Sequence, residues 1–541
     1  MEPFAVSHVA LPGLGFSFWA FCGILACMKI YLPQKSETRE APPGELLATV
    51  LHDVLETPCG GNGICGGCLV QLQYEGGEIE DVLACQTTIE HDCTVWCQDW
   101  ETPESGGLQS ADALASIEAG VLQKPHGQIQ HGSWLAVDIG TTTLAAALAT
   151  EKVPDWQFTS VRVNPQVRFG HDVISRLQYA QEHGTDEMQA VLLETLREMV
   201  LELCECAHIQ PTEITRCTFA GNTTMEAILL GRDTNSLTCV PFTPPEGMKQ
   251  PSTLEFPATA EFWSQMGLPE KTQLRIFPVF SGFVGGDITA GVVTCGLAKP
   301  QTHTTLMLDI GTNGEMVLSH HGRLMTCATA AGPAFEGACI SCGSRAKAGA
   351  VSRVSSSDGK LQIQTIGDGP ARSVCGSALI DLTAELLRLG KLLPDGQLTD
   401  GDRVVLAEGL AVTQADFRQI QLAVGAIRTG IRVLLEENGL KPTDLDALLV
   451  AGGFGSSLNV PNAQTIGLIP QDVPEERVRF VGNASLAGAI ACCGDDALSN
   501  QQWANAFAVL ERSTDVNLAE MPQFADLFIE SMFFPEPKDG G

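Results

Sequence analysis

Two sets of residues in this chain are spaced for chemistry. The first is four cysteines, Cys59, Cys65, Cys68 and Cys85, in the pattern C-x5-C-x2-C-x16-C, with glycine wrapped around the first three. A loop that curls around four thiolates, with the fourth supplied by a later segment, suits a [2Fe–2S] cluster, and glycines let backbone N–H groups point at its sulfurs. Zinc also takes four thiolates, but its structural sites usually pair two short knuckles, and here the partner is the lone Cys85. Cys93 and Cys97 fit no ligand spacing, and Cys339-x2-Cys342 lacks a partner pair.

The second set is a turn present twice. Val137-Asp138-Ile139-Gly140-Thr141-Thr142-Thr143 and Leu308-Asp309-Ile310-Gly311-Thr312-Asn313-Gly314 each follow an apolar run and lead into a second one. This reads as strand, Asp, tight Gly turn, strand. Glycine lets backbone N–H groups approach a phosphate, and Thr and Asn add neutral donors. An Asp at each strand end suits Mg²⁺, usually held through water. Two facing turns, with Thr141 to Thr143 on one and Gly311, Thr312, Asn313 and Gly314 on the other, would clamp the phosphates of one nucleotide. A third Gly-rich turn, Gly452-Gly453-Phe454-Gly455-Ser456, follows the apolar run Ala447 to Val450.

These residues need elements to hold them. With 541 residues, 44% of them hydrophobic, and no low-complexity tract, the chain is expected to fold into several α/β domains. The formal charge of −32 excludes nucleic acid as a partner, because phosphate backbones need Lys/Arg patches. Nineteen cysteines, mostly scattered singly through apolar stretches, read as reduced thiols in a cytoplasm rather than as a disulfide framework. The composition leaves the oligomeric state open, a homodimer included.

In order, residues 1–27 are an apolar leader without Lys or Arg, expected to lie upstream of a natural start at Met28 and not to span a membrane. Residues 28–100 form the cluster domain, opening on a strand from Met28 to Leu32, and carry three basic and twelve acidic side chains. Residues 101–131 are a linker with a short apolar helix, Ala111 to Leu122. The first nucleotide half is 132–302 and the second, with a C-terminal tail, 303–541. A helix from about Glu187 to Cys206 puts Met188, Val191, Leu192, Leu196, Met199 and Leu203 on one face, with Cys204 and Cys206 as buried thiols at its end. Another runs from about Asp416 to Glu437, capped near Thr413 and ended by Asn438-Gly439. Asp287 sits at a Gly-rich turn before an apolar helix, where it is a candidate to orient an attacking water.

Paired phosphate turns with a late strand–Gly-Gly–helix turn resemble the superfamily of actin, sugar kinases and chaperone ATPases. That resemblance implies duplicated halves around an ATP cleft, with Gly452, Gly453, Gly455 and Ser456 on the adenosine. The cysteine loop is similar to that of plant-type ferredoxins, one residue longer in its first gap, which implies an α+β, β-grasp domain. Residues 28–541 together resemble the reductive activators of corrinoid-dependent methyl-transfer proteins. The matching pieces are the Cys59–Cys68 loop, both Asp-Ile-Gly-Thr turns, Asn164-Pro165-Gln166, Gly221 to Met225, Phe283 to Asp287, Ala451 to Ser457 and Met532-Phe533-Phe534-Pro535. Val424 departs from the pattern, which implies a Lys there for nucleotide.

The resemblance implies a task. A cobalamin-binding corrinoid protein that has oxidised to inactive Co(II) would receive one electron from the [2Fe–2S] cluster, with ATP driving the uphill step and an upstream donor left unidentified. A gap of a few hundred millivolts is roughly 5–10 kcal/mol at about 59 mV per tenfold, within reach of a nucleotide-driven change. Two other readings stay open: a sugar-kinase-like phosphotransferase with a regulatory cluster, and a ferredoxin carrier whose ATPase half is only a scaffold. The activators of 2-hydroxyacyl-CoA dehydratases share the ATPase fold, but use a [4Fe–4S] cluster bridging two subunits.

Overall fold

The structure, a computed structural model, describes residues 28–33, 37–51, 69–74, 77, 80–97, 132–170, 172–249, 260–337, 339–367, 369–452 and 458–536. The leader 1–27, the linker 101–131 with its expected helix, Cys59, Cys65 and Cys68, and Gly453, Gly455 and Ser456 lie outside the described residues.

Alternation in Met28–Leu32 buries Ile30 and Leu32 and leaves Lys29 and Tyr31 outside, as a strand covered on one face requires. It pairs antiparallel with Glu37–Ala41 and parallel with Cys93–Cys97, which in turn pairs with Leu69–Tyr74, and Glu80–Leu83 closes the sheet. The core beneath this mixed sheet collects Ile30, Leu47, Leu51, Val70, Ile89, Val95 and Cys85. The fold there is the strand-rich α+β arrangement expected of a ferredoxin-like domain.

Two further sheets repeat one plan. In each, a strand ending in the Asp turn (Ser133–Ile139; Thr305–Ile310) doubles back into Thr143–Thr150 or Gly314–His320, then into Phe158–Val163 or Arg323–Thr329. Two parallel strands then add to the other side: Ile214–Gly221 and Gln273–Ile276 in the first sheet, Ala447–Ala451 and Val478–Gly482 in the second. Ser513–Asp515 extends the second sheet. Every residue of Ser133–Ile139 is buried, as in a strand covered on both faces. On one side lies the helix Asp186–Ala207, burying Met188, Leu192, Leu196, Met199 and Leu203 as its periodicity predicts. Val191 is half-buried, and Cys206, expected inside, is exposed because it falls on the solvent side of the last turn. The helix Gln414–Glu437 covers the second sheet, starting from a Thr413 capping box and ending at Asn438.

Between the two sheets cross the helices Gly286–Thr294 and Ala484–Cys493. They meet at small residues, Gly488 against Ala290, so their backbones touch there. A Cβ on Gly488 would stand 2.4 Å from the Ala290 carbonyl oxygen, which only glycine tolerates. Among the described residues no helix is long and apolar enough to cross a membrane.

Candidate functional site

The two Asp turns meet. Thr142 Oγ1 and Thr312 Oγ1 lie 3.1 Å apart, and the Thr312 hydroxyl also lies 2.8 Å from Glu336 Oε1. Each turn is closed by its own backbone, Gly140 N–H donating to Thr143 O at 3.0 Å and Gly311 N–H to Asn313 O at 2.9 Å. A Cβ on Gly140 would come within 2.6 Å of the Thr143 oxygen, so the tightness of the first turn requires glycine.

The carbonyls of the first turn are tied back one by one. Asn164 Nδ2 donates to Gly140 O at 2.8 Å, Arg176 Nη2 to Thr141 O at 2.5 Å, and Asn164 N–H to Thr142 O at 2.9 Å. Asn222 Nδ2 donates to Thr141 Oγ1 at 2.7 Å, so the hydroxyl's own hydrogen is left to point elsewhere. A turn whose oxygens are occupied offers N–H groups and hydroxyls, which is what an anion needs.

Carboxylates crowd the same cleft. Asp138 accepts from Asn483 Nδ2 at 2.8 Å and from Ser485 Oγ at 2.7 Å, both at the start of the crossing helix of the second half. Burial lifts its pKa to about 6 despite these bonds. Asp309 is pushed up to about 7 by burial and by the Asp138 charge. Asp287, in the first turn of Gly286–Thr294, rises to about 8 through burial, then Asp309 and Asp138. Glu315 stands directly opposite Asp309 in the strand ladder and is also raised well above the ordinary carboxylate range, by burial and by Asp287 and Asp309. Glu226 is fully buried and also raised; its Oε1 accepts from Gly221 N–H at 3.2 Å, while Oε2 has no hydrogen-bond partner among the described residues. Like charges this close in a low-dielectric site cannot all ionise unless a cation joins them.

Among the described residues no three His, Cys, Asp or Glu side chains converge as a metal cage. Mg²⁺ needs none, since it keeps most of its waters and is held by one or two carboxylates and substrate phosphates. The donor set of Asp138 and Asp309 fits that mode. Gly452 connects the third turn to it: at φ +96° its missing Cβ would meet Ile310 O at 2.6 Å and Asp309 Oδ1 at 2.9 Å. Val424 is fully buried in the core of the second half, so no side chain from that position reaches solvent.

Of the four cysteines spaced for a cluster, Cys85 lies on the turn Ala84–Gln86, buried, with Gln86 Nε2 donating to its sulfur at 3.8 Å, a bond a metal-bound thiolate would also accept. Burial and Asp92 push the Cys93 thiol up to about 11, which disfavours the thiolate form a ligand needs. Cys342 is likewise pushed up to about 12.

Sequence reasoning singled out the stretches containing Asn164 and Asn222 but gave these residues no role in the site. It missed Glu315, Glu226, Glu336, Asn483 and Ser485. Alternation marks Glu315: two residues after Asn313, it is the one charged side chain in an apolar strand.

Residues 134–300 match the family model of the RACo middle region, and 303–540 match that of the C-terminal domain of RACo, the ASKHA domain. The corrinoid activation enzyme RamQ of Eubacterium limosum is 28% identical, over 94% of this chain and 99% of its own. The Co(II) methylated amine-specific corrinoid protein reductase of Methanosarcina barkeri is 26% identical over 65% of this chain and 68% of its own. A solved reductive activator for corrinoid, iron-sulfur protein superposes with a TM-score of 0.65 at 29% identity, covering 94% of this chain and 98% of that one.

Proposed function

Because this chain belongs to the RACo family, the reductive activators of corrinoid proteins, we propose that it is an ATP-dependent activator that returns one electron to a corrinoid protein in its inactive Co(II) state, restoring Co(I) for methyl transfer. Bound [2Fe–2S] supplies one-electron transfer, and Cys59, Cys65, Cys68 and Cys85 would hold it. The relatives named for corrinoid activation and for Co(II) corrinoid protein reduction support the choice of partner.

The observation that carries the nucleotide part of this reading is the direct contact of Thr142 with Thr312 in a cleft of buried carboxylates. In this reading Asp138 and Asp309 orient the waters around Mg²⁺. Thr141, Thr142, Thr143, Thr312, Asn313 and Gly314 donate to the phosphates. Gly452, Gly453, Gly455 and Ser456 take the adenosine, and Asp287 orients the attacking water. Phosphates between the turns would exchange the Thr142–Thr312 bond for contacts to both halves. A ligand that contacts two arrangements differently shifts the balance between them, and this is how hydrolysis would gate the complex with the corrinoid protein.

The test is to mix the full chain with a Co(II) corrinoid protein and a strong chemical reductant, and to follow Co(I) absorbance with and without ATP. Co(I) is expected only with ATP. Equal yield without nucleotide overturns the coupling and leaves a ferredoxin carrier on a scaffold.

A further inference from the structure

The helix Val173–His183 opens with a capping box from Asp172 and places Arg176 one turn later. Arg176 has no accessible surface at all, a rare condition for a guanidinium. Its Nε donates to Gly170 O at 2.8 Å, its Nη1 to Gln166 Oε1 at 3.3 Å and Met225 Sδ at 3.0 Å, and its Nη2 to Thr141 O at 2.5 Å. These acceptors are neutral, and among the described residues no carboxylate forms an ion pair with Arg176. The charges that reach it are those of Asp172 and, from the second half, Glu336. Taking an unpaired charge out of water is expensive. The place where the chain bears that cost is directly behind the first phosphate turn, and neither turn, Asp138 to Thr143 or Asp309 to Gly314, contains a Lys or Arg.

We propose that Arg176 is a positioning residue for phosphate: it holds the Thr141 carbonyl away from the cleft, and its unpaired charge behind the turn favours the anionic part of ATP. The inference rests on the nucleotide reading above. Two effects follow from one side chain. With the Thr141 oxygen tied back, the turn presents N–H groups and the Thr141 hydroxyl. With the charge fixed in a dry pocket, attraction to an anion is little screened by salt or water. The planar fork of arginine suits several acceptors at once; lysine keeps the charge but cannot span Gly170, Gln166 and Thr141 together.

The experiment is calorimetric titration of the full chain with Mg·ATP and, separately, with adenosine. Wild-type chain, Arg176→Met and Arg176→Lys are compared. Arg176→Met is expected to weaken ATP roughly tenfold or more while adenosine changes by less than about twofold; Arg176→Lys should recover much of the ATP affinity. Equal weakening of ATP and adenosine in both variants, or no change in either, overturns the proposal. So does failure of both variants to fold, judged by circular dichroism, since the role would then be purely structural. Wild-type chain that binds neither ligand refutes the nucleotide reading itself, a separate outcome.

Discussion

Thr142 and Thr312, 170 positions apart and one from each Asp-Ile-Gly-Thr turn, are joined by a hydrogen bond of 3.1 Å across the boundary between the two halves. The contact is held on its far side by Glu336, 2.8 Å from the Thr312 hydroxyl. In the nucleotide reading proposed above, phosphates would enter this cleft by parting the two hydroxyls, which would tie occupation of the site to the separation of the two turns.

Thr312→Val keeps the side-chain shape and removes both bonds. Mg²⁺-dependent ATP hydrolysis by the full chain should fall on the order of a hundredfold to a thousandfold, as when one preorganised donor is lost. Folding stability should move by about 1–3 kcal/mol, the net worth of two hydrogen bonds. Phosphate release and thermal melting measure the two; unchanged turnover would remove Thr312 from the phosphate site.

Asp309→Ala should abolish hydrolysis, and Asp138→Ala likewise, with the visible spectrum of the cluster unaffected in both. Asp287→Asn should keep nucleotide binding and lose turnover, the pattern of a group acting only in the transition state. Hydrolysis surviving in both Asp→Ala variants would dismiss the phosphate clamp.

The pH dependence follows from the raised carboxylates. Asp138, Asp309 and Asp287 stand at about 6, 7 and 8 when folded, above the ordinary carboxylate value near 4, so the metal-free fold binds more protons than the unfolded chain between these limits. Their contribution to stability is full below about pH 4 and lost as pH rises through 6 to 8. The melting temperature without Mg²⁺ should therefore decline across that window, and added Mg·ATP should restore more of it at pH 8 than at pH 6. Binding should release protons, visible as a dependence of calorimetric heat on buffer. Heats identical in buffers of different ionisation enthalpy would show that the carboxylates are already ionised.

Purified anaerobically, the chain should contain about two irons and two sulfides, following the four-thiolate assignment. Cys68→Ser should lose them, whereas Cys93→Ser should not, because Cys93 lies in a strand with its thiol held protonated by burial. Zinc in place of iron would defeat the electron-transfer reading.

The C-terminal Met532-Phe533-Phe534-Pro535 is clasped by the helix Gln414–Glu437. Arg428 Nη1 donates to Ser531 O at 2.9 Å and Phe533 O at 2.5 Å, Gln421 Nε2 donates to Met532 O at 3.1 Å, and Phe534 is buried. Arg428→Ala should cost on the order of 1 kcal/mol in denaturant unfolding, since two backbone carbonyls, one part-buried and one exposed, lose a charged donor. A smaller effect would mean that the apolar contacts alone hold the tail.

Much of the frame was legible because it is local. Thr413 and Asn438-Gly439 bracket a helix by capping chemistry that neighbours supply, and the alternation at Met28 to Leu32 needs only a covered face. The Asp turns announce themselves by repetition. What could not be read is what reaches across. Asn483 and Ser485 bond Asp138 from 345 and 347 positions away, and nothing in a helix start says which distant carboxylate it will meet. Arg176 was hidden for another reason: one charged residue in a mixed helix reads as solvent-facing, and only the tertiary acceptors at Gly170, Gln166 and Thr141 reveal it as buried. Cys206 went the other way, an apolar-looking thiol turned outward by a fraction of a turn.

The bare contact of Gly488 with the Ala290 carbonyl sets how close the helices Gly286–Thr294 and Ala484–Cys493 stand. Ile288, Val292, Leu486 and Ile490 of these helices share one buried core with both sheets, so a methyl group added at Gly488 would have to push that whole core apart.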